Sequence, residues 1–159
     1  MGDAIPIYKE FYPKAKLYGV DISSVGIEKC KGSYGCLADF TAGTEKEMQD
    51  VDIVIASNVF EHLTDDKKVA KRILQKTEKL YIVVPYKENP LMDEHINSYD
   101  EFYFSELNVL WFKIFSAKGW TESGFRLFKL GVRNLIRILT GKKIQPRSRQ
   151  IMFCLARDA

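Results

Sequence analysis

A doubly wound α/β domain with a mostly parallel sheet is the fold predicted here, and three observations predict it. The runs Val51–Ser57, Leu80–Pro85 and Ile151–Ala156 are nearly unbroken in their apolar residues, the pattern of strands covered on both faces. Helix-like stretches alternate with them in βαβα order. The chain has 159 residues, 46% hydrophobic and 28% charged, which suffices for one core and excludes disordered, collagenous and disulfide-scaffold classes.

Taken in order, Asp3 is expected to cap a first helix that tolerates Pro6 only in its opening turn and closes at Pro13. A short strand follows over Lys16–Asp21. Ser23 or Ser24 starts the next helix, ending near Gly32, and a second short strand, Gly35–Asp39, again stops at an aspartate. After the strand Val51–Ser57, Thr64 with Asp65 and Asp66 offers a capping oxygen and negative charge to a helix whose stripe is Val69, Ile73 and Leu74. Beyond the strand Leu80–Pro85, the spacing of Leu107, Leu110, Trp111, Ile114 and Phe115 predicts a helix over 105–118, stopped by Gly119. A basic amphipathic helix is expected over 126–141, with Arg126, Lys129, Arg133 and Arg137 on one face and Phe128, Val132, Leu135 and Leu139 on another. No repeat or linker interrupts residues 1–159, so one domain is expected, carrying 126–141 as an insertion.

No apolar run is long enough to span a bilayer, and the first residues lack a basic stretch followed by an apolar one. Three cysteines, Cys30, Cys36 and Cys154, suit a reducing compartment, so a cytoplasmic protein is expected. Cys30 and Cys36 lack a second ligand pair, and no metal site is assigned. The net charge of +3 conceals an asymmetry: nine basic residues and no acidic one fall between Ser123 and Arg157, which leaves −6 for the rest. Such a face either docks something anionic or is simply a solvated helix face. Lipid headgroups or an acidic partner are expected ahead of nucleic acid.

In nucleotide-binding α/β sheets, ligands lie beyond the carboxyl ends of the strands, and an acidic residue there accepts from a ribose diol. Asp21 ends its strand 19 residues after Gly2, near the ~20-residue spacing between a glycine turn and this carboxylate. Its other reading is a cap for the helix that follows.

Three segments then come together: Gly19-Val20-Asp21-Ile22-Ser23, Leu37-Ala38-Asp39-Phe40, and Val51–Ser57 running into Asn58-Val59-Phe60-Glu61-His62-Leu63. In this order they resemble the successive motifs of class I S-adenosylmethionine-dependent methyltransferases, a Rossmann-like fold, and the last resembles the small-molecule and quinone-type branch. The resemblance implies that Asp21 holds the ribose hydroxyls, that Ile22 packs on the adenine, and that Asp39 accepts from the adenine amino group beside Phe40. Asn58 and Val59 are implied to lie by the methionine portion and the acceptor. Gly2 resembles the last glycine of the family's Gly-x-Gly-x-Gly turn. The strand and glycines that precede it in the family are not found, so an N-terminally truncated form with weakened S-adenosyl-L-methionine binding is expected. A sheet without that central strand is expected to pair its flanking strands directly or to borrow a strand from a second copy, making a homo-oligomer.

Methyl transfer from a sulfonium needs positioning and, for some acceptors, a base. The two histidines, His62 and His95, are the candidate catalytic bases. Tyr86, Tyr99, Phe102, Tyr103 and Phe104 either line an acceptor pocket or pack the helix expected over 105–118. The expected function is methyl transfer to a small-molecule or lipid-like acceptor. The alternative is a non-catalytic interaction module that keeps the fold and uses its basic helix; a nicotinamide-cofactor enzyme ranks third.

Overall fold

The computed structural model describes residues 2–89, 91–116, 132, 135–141 and 149–158. The chain divides into two compact units, Met1–Val51 and Asp52–Ala159.

The first unit contains helix α1 (Ile5–Phe11), strand β1 (Tyr18–Asp21), helix α2 (Ser24–Tyr34) and strand β2 (Asp39–Ala42). Pro6 sits in the opening turn of α1, where its missing N–H costs nothing. Asp3 does not cap this helix: Ala4 holds the N-cap position without a side-chain bond, and Asp3 Oδ1 instead accepts from the Tyr34 hydroxyl at 3.3 Å. Ser23 caps α2 as expected, its Oγ accepting from Gly26 N at 3.1 Å. The helix runs past Gly32 to Tyr34 and buries Gly26, Ile27 and Cys30.

β1 and β2 pair in parallel, from Tyr18 opposite Asp39 to Asp21 opposite Ala42. β2 therefore begins at the aspartate where the strand Gly35–Asp39 was expected to end. The reason lies in the end of α2: the Tyr34 carbonyl accepts from Leu37 N and Ala38 N, so these residues continue the turn and leave no extended backbone before Asp39.

The second unit contains β3 (Val51–Ser57), a 3₁₀ turn over Phe60–His62, α3 (Asp66–Leu74), β4 (Thr77–Pro85), β5 (Val109–Ser116) and β6 (Arg149–Ala156). Its four strands lie in the order β3-β4-β6-β5. β6 is antiparallel to both neighbours, so β4 and β5 run in the same direction. The α/β class is as predicted, with β6 as the reversed strand.

β5 overturns the helix expected over 105–118. Trp111, Phe112, Lys113 and Ile114 stand opposite Cys154, Phe153, Met152 and Ile151 of β6. Aromatic and β-branched residues suit a pleated surface, and pairing with the buried β6 overrides a helical spacing that five apolar residues satisfy by coincidence. β3 also departs from expectation. Ile53 remains 51% exposed, since β3 is an edge strand among the described residues and lacks the cover that its apolar run implies. α3 begins close to where expected, with Ile73 and Leu74 buried, but its N-cap Asp65 makes no side-chain capping bond.

Of the basic helix expected over 126–141, residues 132 and 135–139 are helical, and Arg126, Lys129 and Arg133 lie outside the described residues. The free cysteines divide into buried Cys30 and Cys154 and exposed Cys36.

The core of this unit is aromatic at its centre. Phe104, fully buried, packs edge-on against Phe153 and Phe60, with ring centroids 5.1 and 6.1 Å away, and stacks on Tyr99. Leu80, Ile82, Val84, Ile151 and Leu155 extend it along β4 and β6. Of the aromatic run after Pro85, Tyr99 and Phe104 are core, Tyr86 and Tyr103 are half-buried, and Phe102 is 75% exposed. Phe104→Ala is expected to cost about 3–5 kcal/mol in denaturant unfolding, and Phe102→Ala less than about 0.5 kcal/mol.

Candidate functional site

In the first unit, Gly2 has φ +76°, and a Cβ there would meet the Tyr34 ring at 2.9 Å and Cys30 Sγ at 3.1 Å. Its missing side chain makes room for α2. Asp21, half-buried at the carboxyl end of β1, accepts from Ser23 N through Oδ1 at 2.8 Å. The carboxylate thus steadies the entry to α2, as its alternative reading anticipates. An ionised carboxylate offers about four lone-pair positions, so capacity for a diol remains.

Ile22 is 82% exposed, an apolar side chain presented at the same strand end. Phe40 occupies the space left by Gly19, where a Cβ would come within 2.7 Å of its ring. Asp39 is not brought to Asp21. It stands opposite Tyr18, three positions before Ala42, the partner of Asp21, so roughly 10 Å of strand separates the two positions.

In the second unit, the end of β3 carries an unusual turn. Asn58 has φ +53°, in the left-handed region that asparagine tolerates better than most residues. Its N–H donates to the Val83 carbonyl at 2.9 Å and its Oδ1 accepts from Gln150 Nε2 at 3.0 Å, so β4 and β6 both hold it. Asn58 is half-buried and is followed by exposed Val59.

The two histidines, 33 positions apart in sequence, come together. Their ring centroids lie 4.9 Å apart at 78°. His62 Nδ1 is 3.0 Å from the Glu94 carbonyl, and His95 Nδ1 is 2.6 Å from Glu88 Oε2. A carbonyl oxygen only accepts, so His62 Nδ1 is the donor in this contact.

Beside them is Glu61, 1% exposed, whose Oε2 is the one buried side-chain oxygen without a partner among the described residues. Burial pushes its carboxyl above the usual carboxylate range. The residues Phe60-Glu61-His62 pointed here in sequence, but Glu88 carried no signal of its own: a loop glutamate acquires meaning only when the fold sets it against His95.

Hydrogen bonds stitch the loop after β4 to the turn after β3, Asn97 Nδ2 also lying 3.4 Å from the Phe60 carbonyl. Ile96 N donates to the Glu61 carbonyl at 2.9 Å, Asn97 Nδ2 donates to the Leu63 carbonyl at 2.7 Å, and the His62–Glu94 contact completes the set. Nearby, Glu101 accepts from the Tyr86 hydroxyl and pairs with Lys87 at 2.9 Å, and these two hold its carboxyl down at about 2.

No protein-family profile matches the chain, and no curated protein sequence matches it significantly. Solved structures do match. The plantazolicin methyltransferase BpumL, in complex with a triazolic desmethylPZN analog and SAH, superimposes with TM-score 0.62 at 15% identity, covering 99% of this chain and 73% of that one. A chain of the complex between the Haloferax volcanii Trm112 methyltransferase activator and a methyltransferase gives 0.70 at 12% identity, covering 99% and 79%. Coclaurine N-methyltransferase bound to N-methylheliamine and SAH gives 0.64 at 12% identity, covering 95% and 63%. The chain has the class I methyltransferase fold.

The depressed Glu101 carboxyl has a pH consequence. Its folded value lies below the unfolded one, so its stabilising contribution is complete above about pH 5 and is lost as pH falls toward 2. Glu101→Gln should therefore lower Tm at neutral pH and lose less on acidification than the parent, the two curves converging in acid when Tm is followed against pH.

Proposed function

We propose that the protein transfers a methyl group from S-adenosyl-L-methionine to a small-molecule or lipid-like acceptor. The strand order β3-β4-β6-β5, with β6 reversed between β4 and β5, carries the reading, because this architecture superimposes on methyltransferases crystallised with SAH. The residues offer suitable chemistry. Asp21 supplies a carboxylate for the ribose hydroxyls, Ile22 an apolar surface for the adenine, and Phe40 an aromatic wall. Asp39 remains the proposed acceptor for the adenine amino group, although its register position sets it apart from Asp21.

Asn58 offers its amide N–H, and Val59 an apolar surface, to the methionine portion; neither adds a positive charge to compete with a sulfonium. The bound cofactor supplies an electrophilic methyl group. His62 and His95 stand as candidate bases for an acceptor that must lose a proton, both keyed by hydrogen bonds at Nδ1.

Calorimetric titration with S-adenosylhomocysteine tests this reading. Saturable heat is expected, with affinity falling about 10–100-fold in Asp21→Ala, the loss of hydrogen bonds to a charged acceptor. No heat from the folded chain would count against it.

A second activity of the same chain is proposed for its basic segment: peripheral contact with an anionic membrane or acidic partner through Arg126, Lys129, Arg133 and Arg137. The exposure of Leu135 at 57% and Leu139 at 77%, with Ile136 and Ile138 also exposed, favours an apolar face seeking cover. Cosedimentation with vesicles is expected to rise with anionic lipid content and to fall in Arg137→Glu; equal, negligible partitioning to anionic and neutral vesicles is the contrary result.

A further inference from the structure

We propose that Glu61, His62 and His95 form a binding site for a divalent transition-metal ion, with Zn2+ as the best match to the donor set. One ligand atom from each of the three residues lies within 4.8 Å of the other two, a grouping that no other residues match among those described. Two imidazoles and one carboxylate are the donors of open zinc sites, and oxygen-seeking Mg2+ and Ca2+ are poorly served by them.

Three features separate this cluster from a chance meeting of polar side chains. First, each imidazole has a hydrogen-bond partner at Nδ1, which leaves Nε2 as its ligand atom. In metal sites a histidine commonly gives its second ring N–H to a carboxylate or carbonyl, which fixes the tautomer and turns the remaining lone pair toward the ion. Here the Glu94 carbonyl does this for His62 at 3.0 Å and the Glu88 carboxylate does it for His95 at 2.6 Å.

Second, Glu61 is almost fully buried with Oε2 unpartnered. A buried carboxylate oxygen without a hydrogen bond is costly, and a cation between it and the two imidazoles removes that cost. Third, the parts are fixed in place: Ile96 N to the Glu61 carbonyl and Asn97 Nδ2 to the Leu63 carbonyl lock the loop that carries His95 onto the turn that carries Glu61 and His62.

Zinc bonds of about 2.0–2.2 Å in tetrahedral geometry place ligand atoms roughly 3.3 Å apart. The cluster must therefore contract by up to about 1.5 Å when it takes the ion. Three protein ligands would leave a tetrahedral ion a fourth position for an acceptor hydroxyl or water. All the residues involved belong to the second unit, and an imidazole that holds the ion through Nε2 with Nδ1 already bonded has no lone pair left for a proton, so in the loaded site His62 and His95 are ligands and not bases.

The test is titration of the full chain with Zn2+ and, separately, Co2+ in chelator-free buffer after treatment with EDTA. One ion per chain is expected, with a rise in Tm that EDTA reverses and with visible ligand-field bands for Co2+. His62→Ala and His95→Ala should each weaken binding at least tenfold. Glu88→Gln, which touches the ion only through His95, should weaken it by roughly 10–100-fold. Cys36→Ser should bind as the parent does, since the exposed thiol is the obvious adventitious ligand. Should an alanine variant fail to fold, Glu61→Gln keeps the side-chain shape and is expected to lose at least tenfold in affinity. Absence of saturable binding by the folded chain, undiminished affinity in the Glu61 and histidine variants, or loss of binding in Cys36→Ser overturns the assignment.

Discussion

The second unit depends on one buried hydrogen bond, from the Tyr99 hydroxyl to Asp66 Oδ2 at 2.9 Å. Asp66 is 4% exposed, and a carboxylate so placed requires partners. Lys67 N supplies another at 2.6 Å, from the first turn of α3 itself. Burial and the adjacent carboxylate push the Tyr99 hydroxyl far above its ordinary range, so it stays protonated and remains a donor. The result is a long loop fastened at its middle to a helix. Tyr99 then stacks on Phe104, which closes against Phe60 and Phe153, so the loop contributes to the core it crosses.

That fastening makes the surface beyond β3 and β4 usable. A free loop of this length would present His95 in many positions, whereas here its flanks are tied to the 3₁₀ turn and to Tyr99. The same turn begins at Asn58, whose left-handed backbone is held by Val83 and Gln150. Strained backbone that is overdetermined by its neighbours is common at ligand-binding positions. In this protein it redirects the chain from a strand into the turn that carries Glu61 and His62.

Much of this was legible in the residues. The apolar runs found β3, β4 and β6 to within three residues at their starts, because unbroken apolar and β-branched stretches favour strand, although β3 lies at an edge and is partly uncovered. Ser23 announced α2 through its capping oxygen. β5 was misread because Leu107, Leu110, Trp111, Ile114 and Phe115 fit a helical spacing, and only the presence of β6 alongside decides between helix and strand. β2 was displaced because the turn after Tyr34 consumed residues that looked extended. Asp39 went with it to the amino end of the strand, a matter of register that composition does not record.

The sequence by itself determined the α/β class, the strand-end positions of Asp21 and Asn58, and the motif order that resembles methyltransferases, since each rests on local chemistry or on patterns a few residues long. Tertiary structure alone decided that His62 meets His95, that Glu88 orients one of them, and that Glu61 is buried with an unpartnered oxygen. In those relations the two histidines are 33 positions apart, and even Glu88 lies seven positions from the ring it orients, within an irregular loop. No local propensity encodes them; they arise when the Tyr99–Asp66 bond and the aromatic core fold the loop back onto the end of β3.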